Sequence, residues 1–345
     1  MNNHIINQEL TLIDALSRIN GLAPEPLVLF VVDEQNRMVG TLTDGDSRRA
    51  LIAGASVNDK VSQVMHRGFN CMRIEDIDDV KEIKRQRELR MKLVPVLDSD
   101  GHIVEVINLE KNQSRLPVDA VLMAGGKGER LRPLTETTPK PLLKVGEKCI
   151  IDYNVDRLIN YGVKHISVTV NYLKEQLEDH FASSYGEIQV QTIREPKFLG
   201  TIGSIRFVKE FHTDTVLVMN SDLFTNINYE DFYLHFKEHD ADMSVAAVPY
   251  TISVPFGIFD LDGRNIRGLK EKPKYEYYAN AGIYLIKRSV LDFIPEGQVF
   301  HSTDLIEALV GAGRKVVRFP LVGTWIDIGT PQEYQRAKDL VKHLK

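Results

Sequence analysis

The sequence predicts an α/β protein: a mostly parallel, mixed sheet flanked by helices, preceded by a smaller module. Two observations carry this. From Val118 onward, short apolar runs alternate with helical patterns, which gives a parallel sheet covered by helices on both faces. Before Val118, the segments VLFVVDEQNRMVGTLTD (28–44) and LVPVLDSDGHIVEVINL (93–109) both read as apolar strand, acidic turn, apolar strand. A chain of 345 residues suits two domains better than one. The short polar stretch KNQSRLP (111–117) marks the boundary, giving domains 1–113 and 118–345.

The first domain is a repeat. Asp33 aligns with Asp98, Arg37 with His102 and Val39 with Val104, an offset of about 65 residues. A helical pattern precedes each copy, at 11–19 and at 76–89. In the second helix Ile77, Val80 and Ile83 share one broad face, so the basic run 81–90 is its solvated side, and Leu89 falls near the end. The copies differ in chemistry. The first carries Gly40, Thr43 and Asp46, followed by Arg48 and Arg49; the second has Asn108 and Lys111 at the places of Thr43 and Asp46. A carboxylate accepts two hydrogen bonds from a ribose diol, whereas lysine has no acceptor.

In the second domain, strands are expected at 118–123, 165–170, 188–193, 215–219, 243–248 and 282–286. Helices are expected at 151–161, 173–181, 202–211 and 229–239, with another starting at Pro331. Ligands of such sheets bind beyond the carboxyl ends of the strands. There the first strand runs into LMAGGKGERLRPLTETTPKPLL (122–143). Gly125, Gly126 and Gly128 form a turn whose backbone N–H groups can approach a phosphate, and Arg130 and Lys140 add full positive charges. A glycine turn, an arginine and a lysine in that order suit a triphosphate.

Composition sets limits. The chain is 43% hydrophobic and 26% charged, as in soluble globular proteins. A net charge of −5 argues against a nucleic-acid or anionic-membrane partner. The start MNNHIINQEL has no signal-peptide pattern and no apolar run is long enough to span a membrane. The expectation is a cytoplasmic protein whose Cys71 and Cys149 stay reduced. No cluster of His and Cys suggests zinc.

The string GG-x-G-x-R-L-x-P-L-T followed by P-K-P resembles the signature of the sugar-phosphate nucleotidyltransferases, which join a nucleoside triphosphate to a sugar 1-phosphate. The resemblance extends from Val118 to the C-terminus and implies a Rossmann-like nucleotidyltransferase domain. It implies Leu122, Gly125, Gly126 and Gly128 at the nucleotide, Arg130 on the β- and γ-phosphates, and Lys140 on the α-phosphate. In TVLVMNSD (215–222) and WIDIGT (325–330), Asp222 and Asp327 take the positions of the family's Mg²⁺ ligands. LGTIGSI (199–205) is similar to the family's L-G-T-A-G, with Gly200 and Thr201 beside base or ribose and Ile202 in place of the common alanine. LKEKP (269–273) matches E-K-P, so Glu271 would accept from sugar hydroxyls and Lys272 would anchor the sugar phosphate; Gly257 and Asn280 complete that side.

The whole string looks most like the mannose-1-phosphate guanylyltransferase branch, which favours GTP with mannose 1-phosphate or glucosamine 1-phosphate. A thymidylyl-, uridylyl- or cytidylyltransferase, or an inactive nucleotide-sensing subunit, stays open at this point. The first domain resembles a pair of cystathionine-β-synthase-type (CBS) domains. Such pairs often bind adenine nucleotides, with Thr43 at phosphate and Asp46 at ribose. The combination resembles the guanylyltransferases of bacterial legionaminic acid pathways, and a homo-oligomer is expected.

Overall fold

The structure, a computed structural model, describes residues 2–183, 185 and 188–342. The chain divides into two compact units, Met1–Leu116 with Asn160–Gly162, and Pro117–Ile159 with Val163–Lys345.

The first unit begins with β1 (Ile5–Asn7), α1 (Leu12–Asn20), β2 (Val28–Val32), β3 (Met38–Thr43), α2 (Asp44–Ile52) and α3 (Val61–Val64). It continues with β4 (Met72–Arg73), α4 (Val80–Glu88), β5 (Leu93–Leu97) and β6 (Ile103–Asn108). These strands make two three-stranded sheets, β1-β2-β3 and β4-β5-β6, each with one parallel and one antiparallel pair. The ladders even break at equivalent points, between Val31 and Val32 and between Val96 and Leu97. The acidic turns explain the equivalence. Asp33 Oδ1 accepts from the N–H groups of Gln35 and Arg37, and Asp98 Oδ1 from those of Asp100 and His102. Phe30 and Met38 of one copy pack with Leu93 and Leu97 of the other.

The copies part after their last strands. Thr43 caps α2, whereas Asn108 Oδ1 accepts from Glu110 and Lys111 N–H and closes a turn instead. The helix expected at 76–89 is shorter. Ile74–Asp76 form a separate 3₁₀ turn, and the Asp79 side chain accepts from Lys81 N–H to start α4. Val80 and Ile83 are buried and Leu89 is exposed at the helix end.

The second unit opens with β7 (Asp119–Ala124), β8 (Lys144–Val145), β9 (Lys148–Cys149), α5 (Ile150–Asn160), β10 (His165–Val170), α6 (Lys174–His180) and β11 (Gln191–Arg194). Then come β12 (Thr215–Asn220), β13 (Leu223–Thr225), α7 (Tyr229–Glu238), β14 (Met243–Ser253), β15 (Ile258–Asp262), β16 (Asn265–Lys270) and β17 (Lys274–Lys287). The unit closes with α8 (Ser302–Gly311), β18 (Val316–Pro320), β19 (Trp325–Asp327) and α9 (Pro331–Lys342). Its main sheet has the order β11-β10-β7-β12-β17-β14-β18. All neighbours are parallel except β12/β17 and β14/β17. β7 lies between two parallel partners, and its run DAVLMA is buried almost throughout, as a strand covered on both faces requires.

The strand expected at 282–286 is present as the inner end of β17, which runs antiparallel to both neighbours, a direction its apolar pattern does not encode. Two other expectations are corrected. The strand expected at 188–193 is β11, which starts three residues later and ends one later. Residues 202–211 form no α-helix; only Gly203–Phe207 make a 3₁₀ turn. The Ile202 and Gly203 N–H groups instead donate to Phe300 O, both at 3.2 Å, which ties this loop to the segment before α8. β14 and β17 also outrun the sheet together, their ladder continuing to Ser253 and Lys274 past a bulge between Val245 and Ala247.

At the start of β7 the buried Asp119 Oδ2 accepts from the N–H groups of His212 (2.7 Å) and Thr213 (2.9 Å). Asp119→Ala removes the acceptor and leaves both donors unpaired. It is expected to destabilise by about 1–3 kcal/mol, seen as a lower urea midpoint with unchanged slope. An unchanged midpoint would show that the loop does not depend on this carboxylate.

Candidate active site

A cleft of about 640 Å³ opens at the carboxyl ends of β7, β10, β11 and β12. Gly125, Gly126, Gly128, Arg130, Lys140, Gly200, Thr201 and Asp222 all line it. Leu122 does not: its side chain is fully buried in the sheet, so it offers the cleft no side chain, contrary to expectation.

Sheet topology brings the two aspartates together. β13 pairs antiparallel with β19, with Leu223 opposite Asp327, and Ile328 N–H donates to Asp222 O. Lys140, only 8% exposed, sits against them. Its Nζ donates to Asp222 Oδ2 and lies 3.7 Å from Asp327 Oδ1. Burial, and then the Asp222 carboxylate, push the Asp327 carboxyl above its ordinary range, while Lys140 and Arg130 pull it back. Asp222 Oδ1 is buried without a hydrogen-bond partner. Two converging carboxylates, one with an orphaned oxygen, are a hard-oxygen donor set that fits Mg²⁺ completed by phosphate and water. No group of three or more metal-ligating side chains occurs among the described residues.

Asn154, which the sequence reading missed, supports this arrangement. Its Nδ2 donates to Leu223 O (2.9 Å) and Ser221 O (3.3 Å), holding the backbone on both sides of Asp222. Ser221 Oγ adds a bond to Met123 O at 2.7 Å, tying the same segment to β7. The sequence does contain a signal: an Asn among Ile151, Val155 and Leu158 on the buried face of α5.

The glycines divide by role. Gly126 has open space around it. A Cβ on Gly125 would lie 2.4 Å from Glu195 Oε1, so this position is set by a carboxylate. Gly200, at φ 81°, would strike Phe300 O at 2.5 Å if it carried a Cβ; its small size serves loop packing. The Thr201 hydroxyl accepts from Ser302 N–H at 2.9 Å and helps start α8.

Gly257, Glu271, Lys272 and Asn280 do not line the cleft. The first three are exposed on the β14–β17 arm, where Gly257 faces Glu271, and Lys272 adopts a left-handed backbone with φ 44°. Asn280 Oδ1 accepts from Gly282 N–H, and Gly282 packs on Asn220, a cleft residue. Asp327 faces a neighbouring groove of about 1150 Å³, to which Arg130 and Gly329 also contribute. Arg130 lies over Gly329 and so stands between the two openings.

In the first unit Thr43 and Asp46 form a capping box. Thr43 N–H donates to Asp46 Oδ2 at 2.9 Å, and Asp46 Oδ1 accepts from Arg49 at 2.6 Å. Both residues also line a groove of about 670 Å³ with His66, Arg90 and Lys92. Of their counterparts, Asn108 is spent on its own turn and Lys111 pairs with Glu25 at 3.0 Å.

Comparison with known proteins adds the family. The mannose-1-phosphate guanylyltransferase of Mycobacterium tuberculosis is 31% identical over 235 residues, covering 65% of each chain. The mannose-1-phosphate guanylyltransferase catalytic subunit beta of Xenopus tropicalis is 28% identical over 224 residues, covering 62% of each. The chain thus spans less than two thirds of these curated relatives. The crystal structure of HddC from Yersinia pseudotuberculosis complexed with GMP-PN shares the fold, with a TM-score of 0.52 at 23% identity over 65% of this chain and 99% of that one. Residues 119–343 match the model of the Nucleotidyl transferase family, and the chain belongs to that family.

Proposed function

We propose that this chain transfers a nucleoside monophosphate, GMP from GTP, to a hexose 1-phosphate and releases pyrophosphate. The carrying observation is the buried Lys140 ammonium set between Asp222 and Asp327 at a glycine-lined cleft. Relatives named mannose-1-phosphate guanylyltransferase support the choice of base, and mannose 1-phosphate and glucosamine 1-phosphate are the first acceptors. The pairing with the first unit favours a legionaminic acid-type pathway.

In this reading a phosphate oxygen of the sugar 1-phosphate attacks the α-phosphorus in line. The bond to the α–β bridging oxygen breaks, and pyrophosphate leaves. Both reactants are anions, so neutralisation and alignment carry the catalysis. Lys140 offsets charge on the α-phosphate, and Arg130, at the border of the cleft, holds the leaving pyrophosphate. Lys272 anchors the acceptor phosphate, Glu271 accepts from sugar hydroxyls, and Gly257 and Asn280 line the acceptor's path from the arm. Asp222 and Asp327 hold Mg²⁺, which supplies charge neutralisation at the phosphates when bound. Gly125, Gly126, Gly128, Gly200 and Thr201 border the nucleotide.

The first unit acts as a CBS-type pair that binds one adenine nucleotide in the groove of Thr43 and Asp46. The protein works in the cytoplasm as a homo-oligomer, without nucleic-acid or membrane partners. No helix among the described residues is long and apolar enough to cross a membrane.

Pyrophosphate release across common nucleoside triphosphates and sugar 1-phosphates tests the reaction. Turnover is expected with Mg²⁺ and not with EDTA, and Lys140→Ala or Asp222→Asn should lower kcat/KM roughly 10²–10³-fold. No release from any pair, or near-normal variants, would overturn it. Asn154→Ala frees the backbone beside Asp222 and should raise the Mg²⁺ concentration needed for half-maximal rate; an unchanged requirement would deny Asn154 a positioning role. Calorimetry of the full chain with AMP, ADP and ATP should find one site per chain, weakened by Asp46→Asn. Two equal sites, or none, would contradict that assignment.

A further inference from the structure

The segment that leaves β10 departs from ordinary backbone geometry at one residue. Leu173 sits at φ 48° and ψ 38°, in the left-handed region, and α6 starts there without a side-chain cap. Holding a non-glycine residue in that region costs roughly 1–3 kcal/mol and persists only where the surroundings fix it. Its neighbours show what fixes it. Asn171 lines the cleft. The Tyr172 hydroxyl donates toward Thr135 O at 3.0 Å and Glu136 O at 3.3 Å. Gln176 Nε2 donates to Thr137 O at 2.8 Å. Two side chains flanking one strained residue thus hold three successive carbonyls.

Those carbonyls belong to the loop between the glycine turn and Lys140. Thr135 is buried, and its hydroxyl donates to Gly128 O at 2.8 Å. Gly128 O also accepts from Leu131 N–H at 2.9 Å, closing the short 3₁₀ turn that carries Arg130. A Cβ on Gly128, at φ 63°, would lie 3.1 Å from Lys140 Cβ and 3.1 Å from Thr135 Cγ2. Gly128, Thr135 and Lys140 are therefore packed against one another. A displacement of the carbonyls at 135–137 would carry Lys140 with it, three residues further along the chain.

Neither Tyr172 nor Gln176 lines the cleft, so neither is placed to touch a phosphate. Their hydrogen bonds act on the loop instead. Charge neutralisation in an in-line transfer depends on where the ammonium stands, and a misplacement of about 1 Å can cost roughly 10²-fold in rate. A tyrosine reaches its hydroxyl through only two side-chain torsions, so it keeps a fixed distance at low entropic cost. We infer that Tyr172, with Gln176 beside it, is a positioning residue: it holds the carbonyls of 135–137 so that Lys140 meets the α-phosphate at a fixed place. This inference rests on the nucleotidyl-transfer reading and adds to it a strut that stands outside the cleft.

Tyr172→Phe keeps the ring and removes the donor, and Gln176→Met keeps the length of its side chain and removes the other. Pyrophosphate release would be measured with the substrate pair that turns over fastest, for the natural chain, both variants, Lys140→Ala and the double variant Tyr172→Phe/Lys140→Ala. Urea unfolding and amide hydrogen exchange over residues 128–140 would accompany the rates. In Tyr172→Phe, kcat is expected to fall roughly tenfold while the KM for the sugar 1-phosphate does not move. Gln176→Met should lower kcat in the same direction. In the Lys140→Ala background, Tyr172→Phe should lower the rate less than about twofold, because its effect runs through Lys140. Amides of 128–140 should exchange roughly tenfold faster in Tyr172→Phe, with those of β12 unchanged. A merely structural hydroxyl would lower the urea midpoint, leave kcat of the folded protein alone and act equally with or without Lys140. A normal kcat in Tyr172→Phe, or an equal loss in both backgrounds, overturns the inference. If the natural chain turns over no substrate pair, the proposed reaction itself falls. Hydrogen exchange then decides whether Tyr172 holds the loop, and unchanged rates over 128–140 overturn it.

Discussion

The second unit is arranged around one buried ammonium. Lys140 Nζ holds Asp222 and stands within reach of Asp327, three residues drawn from distant parts of the chain. An ammonium whose side chain is only 10% exposed has little water around it, and the two carboxylates offset the cost of its burial. Two carboxylates so close together likewise need a cation between them. The constraint is mutual, and the surrounding structure serves it. The register of β13 on β19 sets Asp222 beside Asp327, and Asn154 and Ser221 fix the chain on either side of Asp222. Breaking such an arrangement from one side is costly because the charge left behind stays desolvated.

Much of the frame was legible in the sequence because it follows from local pattern. Alternating apolar runs and helical faces marked the sheet, and the acidic turns marked the internal repeat of the first unit. Arg130 and Lys140 could be read as cations following the glycine turn after β7, and Asp222 as a carboxylate just past β12, while the role of that carboxylate came from the resemblance to the family. What could not be read depends on partners far away in sequence. The direction of β17 is set by its neighbours rather than by its residues. Residues 202–211 have a helical pattern, yet the N–H groups of Ile202 and Gly203 are claimed by Phe300 O. Asn154 and Glu195 are ordinary polar residues until the fold shows one bonded to carbonyls beside Asp222 and the other buried at the cleft.

The glycines show how one residue type answers several demands. On sequence alone, Gly125, Gly126 and Gly200 all suggest backbone near a ligand. In the structure only Gly126 is open, while Gly125 yields to a carboxylate and Gly200 to the carbonyl of Phe300. The cleft therefore owes its shape partly to side chains that need the space, a relation no motif records.

β17 is one continuous strand with two environments. From Ala281 to Ile286 it is buried in the sheet, and from Lys274 to Asn280 it lies mostly at the surface beside β14. Sliding the outer half along β14 would drag core side chains to the wrong face, because a one-residue slip inverts every position. The bulge between Val245 and Ala247 interrupts the ladder near Gly282, where the strand turns left-handed. The register thus rules out translation and leaves flexing about that interruption as the easier displacement, so that Lys272 would travel along an arc rather than a line.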